Sequence, residues 1–283
     1  MVTSKRLHRS GGTTATQPDG PAESSGVAFL ALAAELITEI SRTQSEAIEQ
    51  ASWLCADAIA NDGLVHAFGS GHSRIPVEEL FPRYGSFPGF NPIAELSMTF
   101  HTQVVGANGQ RQAMFIERIE GLAEQILANF ALGPPDVMLV ISVSGRSAVP
   151  IEMAMGARAR HLPVIAITSR AESLASPPSH SSGTRLLDHA DVVMDLCTPK
   201  GDAMVSIDGL ATPVSPGSTI AAAAIVNAIK ARTAELLCDR GAMPPVITSA
   251  TVAGADASAE LFDAAYGEHA RRIAKVLRMG PAA

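Results

Sequence analysis

Residues 137–147 read Val-Met-Leu-Val-Ile-Ser-Val-Ser-Gly-Arg-Ser, and this stretch decides the fold. Its first half is an unbroken apolar run rich in β-branched residues, as in a strand buried on both faces of a parallel sheet. Its second half is a serine- and glycine-rich turn that leads into a helical pattern over 148–160. A second stretch has the same order: Leu64–Gly69 is apolar, and Gly69-Ser70-Gly71-His72-Ser73 leads into a helical pattern over 74–84. Three further short apolar runs follow the same style, Phe87–Ile93, Pro163–Ser169 and Val192–Cys197, with another helical pattern over 112–131. Strand and helix alternate, which predicts an α/β fold: a parallel sheet with helices on both faces.

The two turns are where chemistry is expected. Glycine lets the backbone turn sharply and approach a ligand. Amides at a helix start, with the positive end of the helix dipole, favour an anion. Serine hydroxyls add donors suited to phosphate oxygens. In open α/β sheets ligands sit at the carboxyl ends of the strands where the winding reverses. The turns also echo each other: Ser73-Arg-Ile-Pro76-Val-Glu78 matches Ser147-Ala-Val-Pro150-Ile-Glu152. Serine is expected to cap each helix, and proline suits the first turn. Glu78 has a twin in Glu152, which suggests capping or compensation of the helix dipole as the job of Glu78. Glu79 has none, since Met153 stands in its place, so Glu79 is the catalytic candidate of the first turn.

Outside these units, residues 1 to about 26 are rich in Ser, Thr, Gly and Pro and read as a disordered tail. Residues 27–283 read as one domain. A long helix is expected from Val27 to about Asn61, with Leu30, Ala33, Ile37, Ile40, Ala51, Leu54 and Ala58 on its apolar stripe. Residues 170–190 are polar and Pro/Ser-rich and predict a loop, either ordered beside a site or mobile. Asp208-Gly209 signals a hairpin. Ser215-Pro216-Gly217-Ser218-Thr219 opens an Ala-rich helix closed by Gly241, and a last helix runs from about Ser258 to Arg278.

Composition narrows the function classes. Of 283 residues 47% are hydrophobic and 17% charged, too apolar for global disorder. The net charge of −7 leaves no broad basic field for nucleic acid. No apolar run reaches the roughly 18 residues that span a membrane, so no membrane partner is expected. Cys55, Cys197 and Cys238 are dispersed and odd in number, which suits a reducing compartment and a cytoplasmic location. No metal is expected: there is no HExxH, and His189 with Asp191 does not complete a site. The three-glycine dinucleotide pattern and the Walker pattern are absent, and no cofactor is expected. Ser144 is not in a GxSxG elbow, because Ser142 takes the first glycine's place.

Residues 64–199 resemble a sugar isomerase (SIS) domain. The segment Ser142–Ser147, SxSGxS, is similar to that family's phosphate loop, and Gly69–Ser73 to its first ligand loop. HAFGSGHSR, EEL, NPI, ERIEGLAEQIL, SSGTRL, CTPKGDA and IDGL resemble the SIS phosphosugar-binding proteins over most of 28–280. The resemblance implies a three-layer αβα sandwich, with a five-stranded parallel sheet of flavodoxin-like order and extra helices at both ends. It implies a homodimer that binds a phosphorylated sugar or amino sugar. It assigns Ser142, Ser144, Gly145 and Ser147 to phosphate, and Ser70, Gly71, His72 and Ser73 to the first loop. Ser218 and Thr219, at another helix start, add hydroxyls.

Isomerases of this family commonly use a glutamate to move a proton between C1 and C2, and some use a histidine to open the ring. In several relatives the glutamate lies about one turn further along the first helix, where this chain has Arg83. Glu79, Glu117 and Glu95 are the candidates here. His269 falls on an apolar stripe of the last helix and is either a core histidine or a ring-opening residue, in its own or a partner subunit. His101 is a further loop candidate. Three activities stay open: sugar-phosphate isomerisation, non-catalytic sensing, and deamination, epimerisation or ether cleavage of an amino-sugar phosphate.

Overall fold

The computed structural model describes residues 24–99 and 109–277. The expected N-terminal tail, up to residue 23, and His101 lie outside the described residues. The first helix begins earlier than its pattern suggests. Ser24 accepts a hydrogen bond from the Val27 amide at 3.3 Å and caps α1, Ser25–Thr43.

Five parallel strands form one sheet: β1 Val65–Gly69, β2 Phe90–Ile93, β3 Val137–Ile141, β4 Val164–Thr168 and β5 Val192–Asp195. Their order is β2-β1-β3-β4-β5, as the resemblance implies. Register is continuous across the middle, with Val65 opposite Val137 and Leu139 opposite Ile165. The alternation of side chains along β3 explains why both faces are covered. Val137, Leu139 and Ile141 pack with Cys55 and Ile59 of α2, Ser45–Ala60, and with Ile225 and Ile229 of α9, Ser218–Asp239. Met138 and Val140 pack on the other face with Ile126 of α6, Leu122–Leu127, and Met153 of α7, Ala148–Ala159. The result is a helix–sheet–helix sandwich. Among the described residues no helix is long and apolar enough to cross a membrane.

Three helices differ from their sequence patterns. The leading helix breaks at Gln44, whose side chain accepts a hydrogen bond from the Asp195 amide at the end of β5. The pattern over 112–131 is two helices, α5 Gly109–Ile116 and α6, separated by a turn in which Gly121 has φ 89°. After the first serine-rich turn, α3 runs only over Arg74–Glu78.

The remaining elements meet their expectations more closely. The stretch 170–190 is an ordered loop that begins with α8, Arg170–Leu174, and Arg185 ties it down through bonds to the Ser173 and Ser176 carbonyls. Ala203–Val205 and Val214–Pro216 pair as an antiparallel ribbon, β6 and β7, with Asp208-Gly209 in the connection. The short α10, Ala250–Ala253, precedes α11, Ala255–Val276.

Candidate functional site

At β1 the chain turns one way to β2, then crosses back to β3 on the other side of β1. Such a reversal leaves a crevice at the carboxyl ends of these strands. A cavity of about 500 Å³ lies there, within the usual size of a small-ligand site. Ser70, Gly71, His72 and Ser73 line it from the turn after β1, and Ser142, Ser144 and Ser147 from the turn after β3.

Each turn needs its glycine. A Cβ on Gly69 would come 2.8 Å from the Ser73 carbonyl carbon and closer still to its oxygen. Gly145 has φ 58°, and a Cβ there would stand 3.0 Å from the Thr168 hydroxyl. The SxSGxS turn therefore folds tightly against β4.

The serines divide by what their protons do. Ser142 Oγ accepts from the Gly145 amide at 3.2 Å, and Ser144 Oγ accepts from the Arg146 amide at 3.4 Å. Both hydroxyl protons stay available to an anion. The amides of Ser147 and Ala148 have no partner among the described residues. Ser70 and Ser147 instead donate to Glu117, at 2.9 and 3.0 Å. The expected serine caps of the two helices do not form: neither Ser73 nor Ser147 makes a side-chain cap bond.

Glu117, just past the end of α5, thus joins the two turns and lines the cavity with Gln110 and Met114 of that helix. Its own carbonyl accepts the Val149 amide of α7. The turn behind it is clamped from a second side. Both oxygens of Glu152 accept the Gly121 amide at 2.8 Å, and Glu152 faces His180 Nε2 at 3.3 Å. Glu120 accepts the amide and hydroxyl of Ser181. Those bonds, chiefly the one from the Ser181 hydroxyl, hold the Glu120 carboxyl below its usual range. Glu152 is therefore part of this clamp and not a dipole-compensating twin of Glu78, which pairs with Arg74 along α3.

Two catalytic candidates stand elsewhere. Glu79 is not on the cavity wall. With α3 so short, its carboxylate pairs with Arg83 at 2.7 Å, and its carbonyl accepts Lys230 of α9 at 3.2 Å. Burial lowers the Lys230 pKa. His269 is on α11 and also off the wall; burial lowers its pKa, and its Nδ1 has no partner among the described residues. Glu95 bonds its neighbour Ser97.

Ser218 and Thr219 do line the cavity, but Ser218 is engaged by Asp202. Asp202 accepts its amide at 2.8 Å and its hydroxyl at 2.6 Å, so the start of α9 already has a carboxylate on it. Asp202 and Glu172 also line the cavity, and Glu172 accepts the Gly201 amide at 2.9 Å. Sequence reading missed both. Asp202 had a signal, in the CTPKGDA segment that precedes the helix start; Glu172, in a polar loop, had none.

The cavity is formed by two serine-rich turns at the ends of parallel strands. A family model described as the SIS domain matches residues 28–169, which include both turns. The chain is 37% identical over 228 residues to a UPF0309 protein of Streptomyces coelicolor, covering 80% of this chain and 88% of that one. It is 33% identical over 240 residues to a UPF0309 protein of Listeria monocytogenes, covering 85% and 95%. A phosphoheptose isomerase from Francisella tularensis is similar at 18% identity and a TM-score of 0.47, over 74% of this chain and 96% of that one. With a family match spanning both serine-rich turns and relatives aligned over most of their length, this chain belongs to the SIS domain family.

Proposed function

We propose that this protein is a phosphosugar isomerase in which Glu117 moves the proton. The observation that carries the reading is the place of the Glu117 carboxylate, on the cavity wall and bonded by one serine from each turn. A base must lie within reach of the proton it takes, and a carboxylate fixed by two hydroxyls is held in one position.

In this reading the phosphate takes the hydroxyl protons of Ser142 and Ser144 and the amides of Ser147 and Ala148. The open-chain sugar lies across the ends of β1 and β3. Glu117 takes the C2 proton of an aldose as the C–H electron pair moves into a C1–C2 double bond and O1 accepts a proton. The enediol then receives a proton at C1 and loses one from O2, giving the ketose. His72, in the first turn, lines the same cavity and in this reading opens the ring.

The protein acts as a homodimer in this account. Phe81, Tyr84, Phe262 and Tyr266 are exposed aromatic residues on adjoining elements, joined by the bond from the Tyr266 hydroxyl to the Pro82 carbonyl. Such a patch suits a second copy of the chain, and sedimentation velocity tests it. A cytoplasmic location accords with three free cysteines.

The experiment is incubation with a panel of aldose, ketose and amino-sugar phosphates in D₂O, following the C2 proton by NMR. Catalysed exchange or product with one member supports the isomerase. Line broadening without exchange for any member contradicts it and favours a phosphosugar sensor.

A further inference from the structure

The charge of the cavity narrows the ligand class, resting on the phosphosugar reading above. Among the described residues three carboxylates line it, Glu117, Glu172 and Asp202, and no lysine or arginine does. Among the described residues His72 is the one basic side chain of the lining. A phosphate monoester carries close to two negative charges. The hydroxyls and amides of the Ser142–Ser147 turn hold it locally, but they do not offset the carboxylates around the rest of the ligand. A sugar whose only charge is its phosphate meets a wall of its own sign.

These carboxylates do not gather around a metal position. Among the described residues, three liganding groups within 4.8 Å of one another occur only at Glu120, Glu152 and His180, and none of those lines the cavity. The carboxylates also differ in what they have left to accept. Both oxygens of Glu117 are bonded by serines, and both of Asp202 by Ser218. Glu172 accepts the Gly201 amide through Oε2, and its Oε1 has no partner among the described residues.

We propose that the ligand is a phosphosugar bearing a free, protonated amine, and that Glu172 holds the amine. Such a ligand is a zwitterion; with the amine at C2, as in the hexosamines, the ammonium loses the proton that O2 loses in the isomerisation above, and the same two proton transfers give the ketose's C2 iminium. Its phosphate lies on the SxSGxS turn and its ammonium donates to Glu172 Oε1, with Asp202 adding negative potential behind it. An N-acetyl group in the same place has no charge and offers a single donor. This arrangement accounts for a phosphate-binding turn inside a cavity that has no lining lysine or arginine among the described residues.

Calorimetric titration of the full chain, at low ionic strength and near neutral pH, compares hexosamine 6-phosphates with the matching hexose 6-phosphates and N-acetyl forms, in the gluco, galacto and manno series. In at least one series the amine binds tighter than both counterparts by about tenfold, as one charge-assisted hydrogen bond gives. Glu172→Gln keeps an acceptor for the Gly201 amide and brings that ratio close to unity. Equal or weaker binding of the amine in every series overturns the inference and leaves the phosphosugar reading standing. An amine preference that survives Glu172→Gln overturns the assignment to Glu172. Binding of none of the phosphosugars overturns both readings. Should the variant fail to fold, the wild-type ratio alone decides the ligand class.

Discussion

The hydroxyl of Ser147, the residue that opens α7, donates to Glu117 at 3.0 Å instead of capping its own helix. Ser70 does the same from the other turn, at 2.9 Å. A serine at a helix start ordinarily accepts from an amide of the first turn, and the helix gains by it. Here both hydroxyls hold a carboxylate, so that contribution to helix stability is replaced by the fixing of one side chain.

Ser70→Ala and Ser147→Ala therefore affect turnover more than stability. Each removes one donor to Glu117, and a bond to a charged group is worth about 1–3 kcal/mol, or on the order of tenfold in rate. Melting temperature moves little, because neither hydroxyl caps a helix. Exchange rates at saturating phosphosugar, beside calorimetric melting, check this. A large fall in melting temperature with unchanged rate would show a structural role only.

Ser142 and Ser144 behave differently, because among the described residues neither hydroxyl donates to a protein acceptor. Ser142→Ala and Ser144→Ala weaken phosphosugar binding by about 1–3 kcal/mol each, with a smaller effect on the rate at saturation. Titration of each variant against wild type separates this from the preceding pair.

Gly69 sets the shape of the first turn. Gly69→Ala puts a methyl group against the backbone of Ser73, which cannot move aside as a flexible side chain would. The turn opens, Ser70 leaves Glu117, and stability falls by about 1–3 kcal/mol. Urea unfolding together with the exchange assay reads both effects. Unchanged exchange would show that the turn tolerates the shift.

Part of the acid stability arises at Asp62, which precedes β1 and so lies by the amino ends of the strands, away from the cavity at their carboxyl ends. Arg271, and then Lys275, hold the Asp62 carboxyl well below the usual carboxylate range, and Arg271 does the same for Glu268. A folded pKa below the unfolded value contributes stability that is present above the unfolded pKa, about 4, and is lost as pH falls through the folded one. Urea midpoints are therefore level near neutrality and drop below about pH 4. Asp62→Asn suits the left-handed φ of 66° at this position. It lowers the midpoint at neutral pH and flattens the acid limb. An acid limb identical to wild type would contradict the assignment.

The strands were legible because parallel strands buried on both faces are unbroken apolar runs, as Val137–Ile141 is. The two serine-rich turns that line the cavity were legible for the same reason: each follows such a run directly. Breaks at Gln44 and Gly121 were hidden, because the first depends on a bond to Asp195, far along the chain, and the second on Glu152. Glu79 was expected at the site and stands off the cavity wall, because nearness in sequence to a serine-rich turn does not fix where a side chain points. Its helix ends after five residues and turns it toward Arg83. Asp202 was signalled only by the CTPKGDA segment before a helix start, and Glu172, on the short α8, by no local pattern; tertiary contacts bring both to the cavity.

The most direct test of the account is Glu117→Gln, measured for C2-proton exchange in D₂O and for phosphosugar affinity on the same preparation, with Glu79→Gln as its counterpart. The account predicts that Glu117→Gln keeps phosphosugar binding and loses exchange by at least about a hundredfold, the usual contribution of a general base, while Glu79→Gln exchanges at the wild-type rate. Exchange preserved in Glu117→Gln, or lost in Glu79→Gln alone, would contradict it.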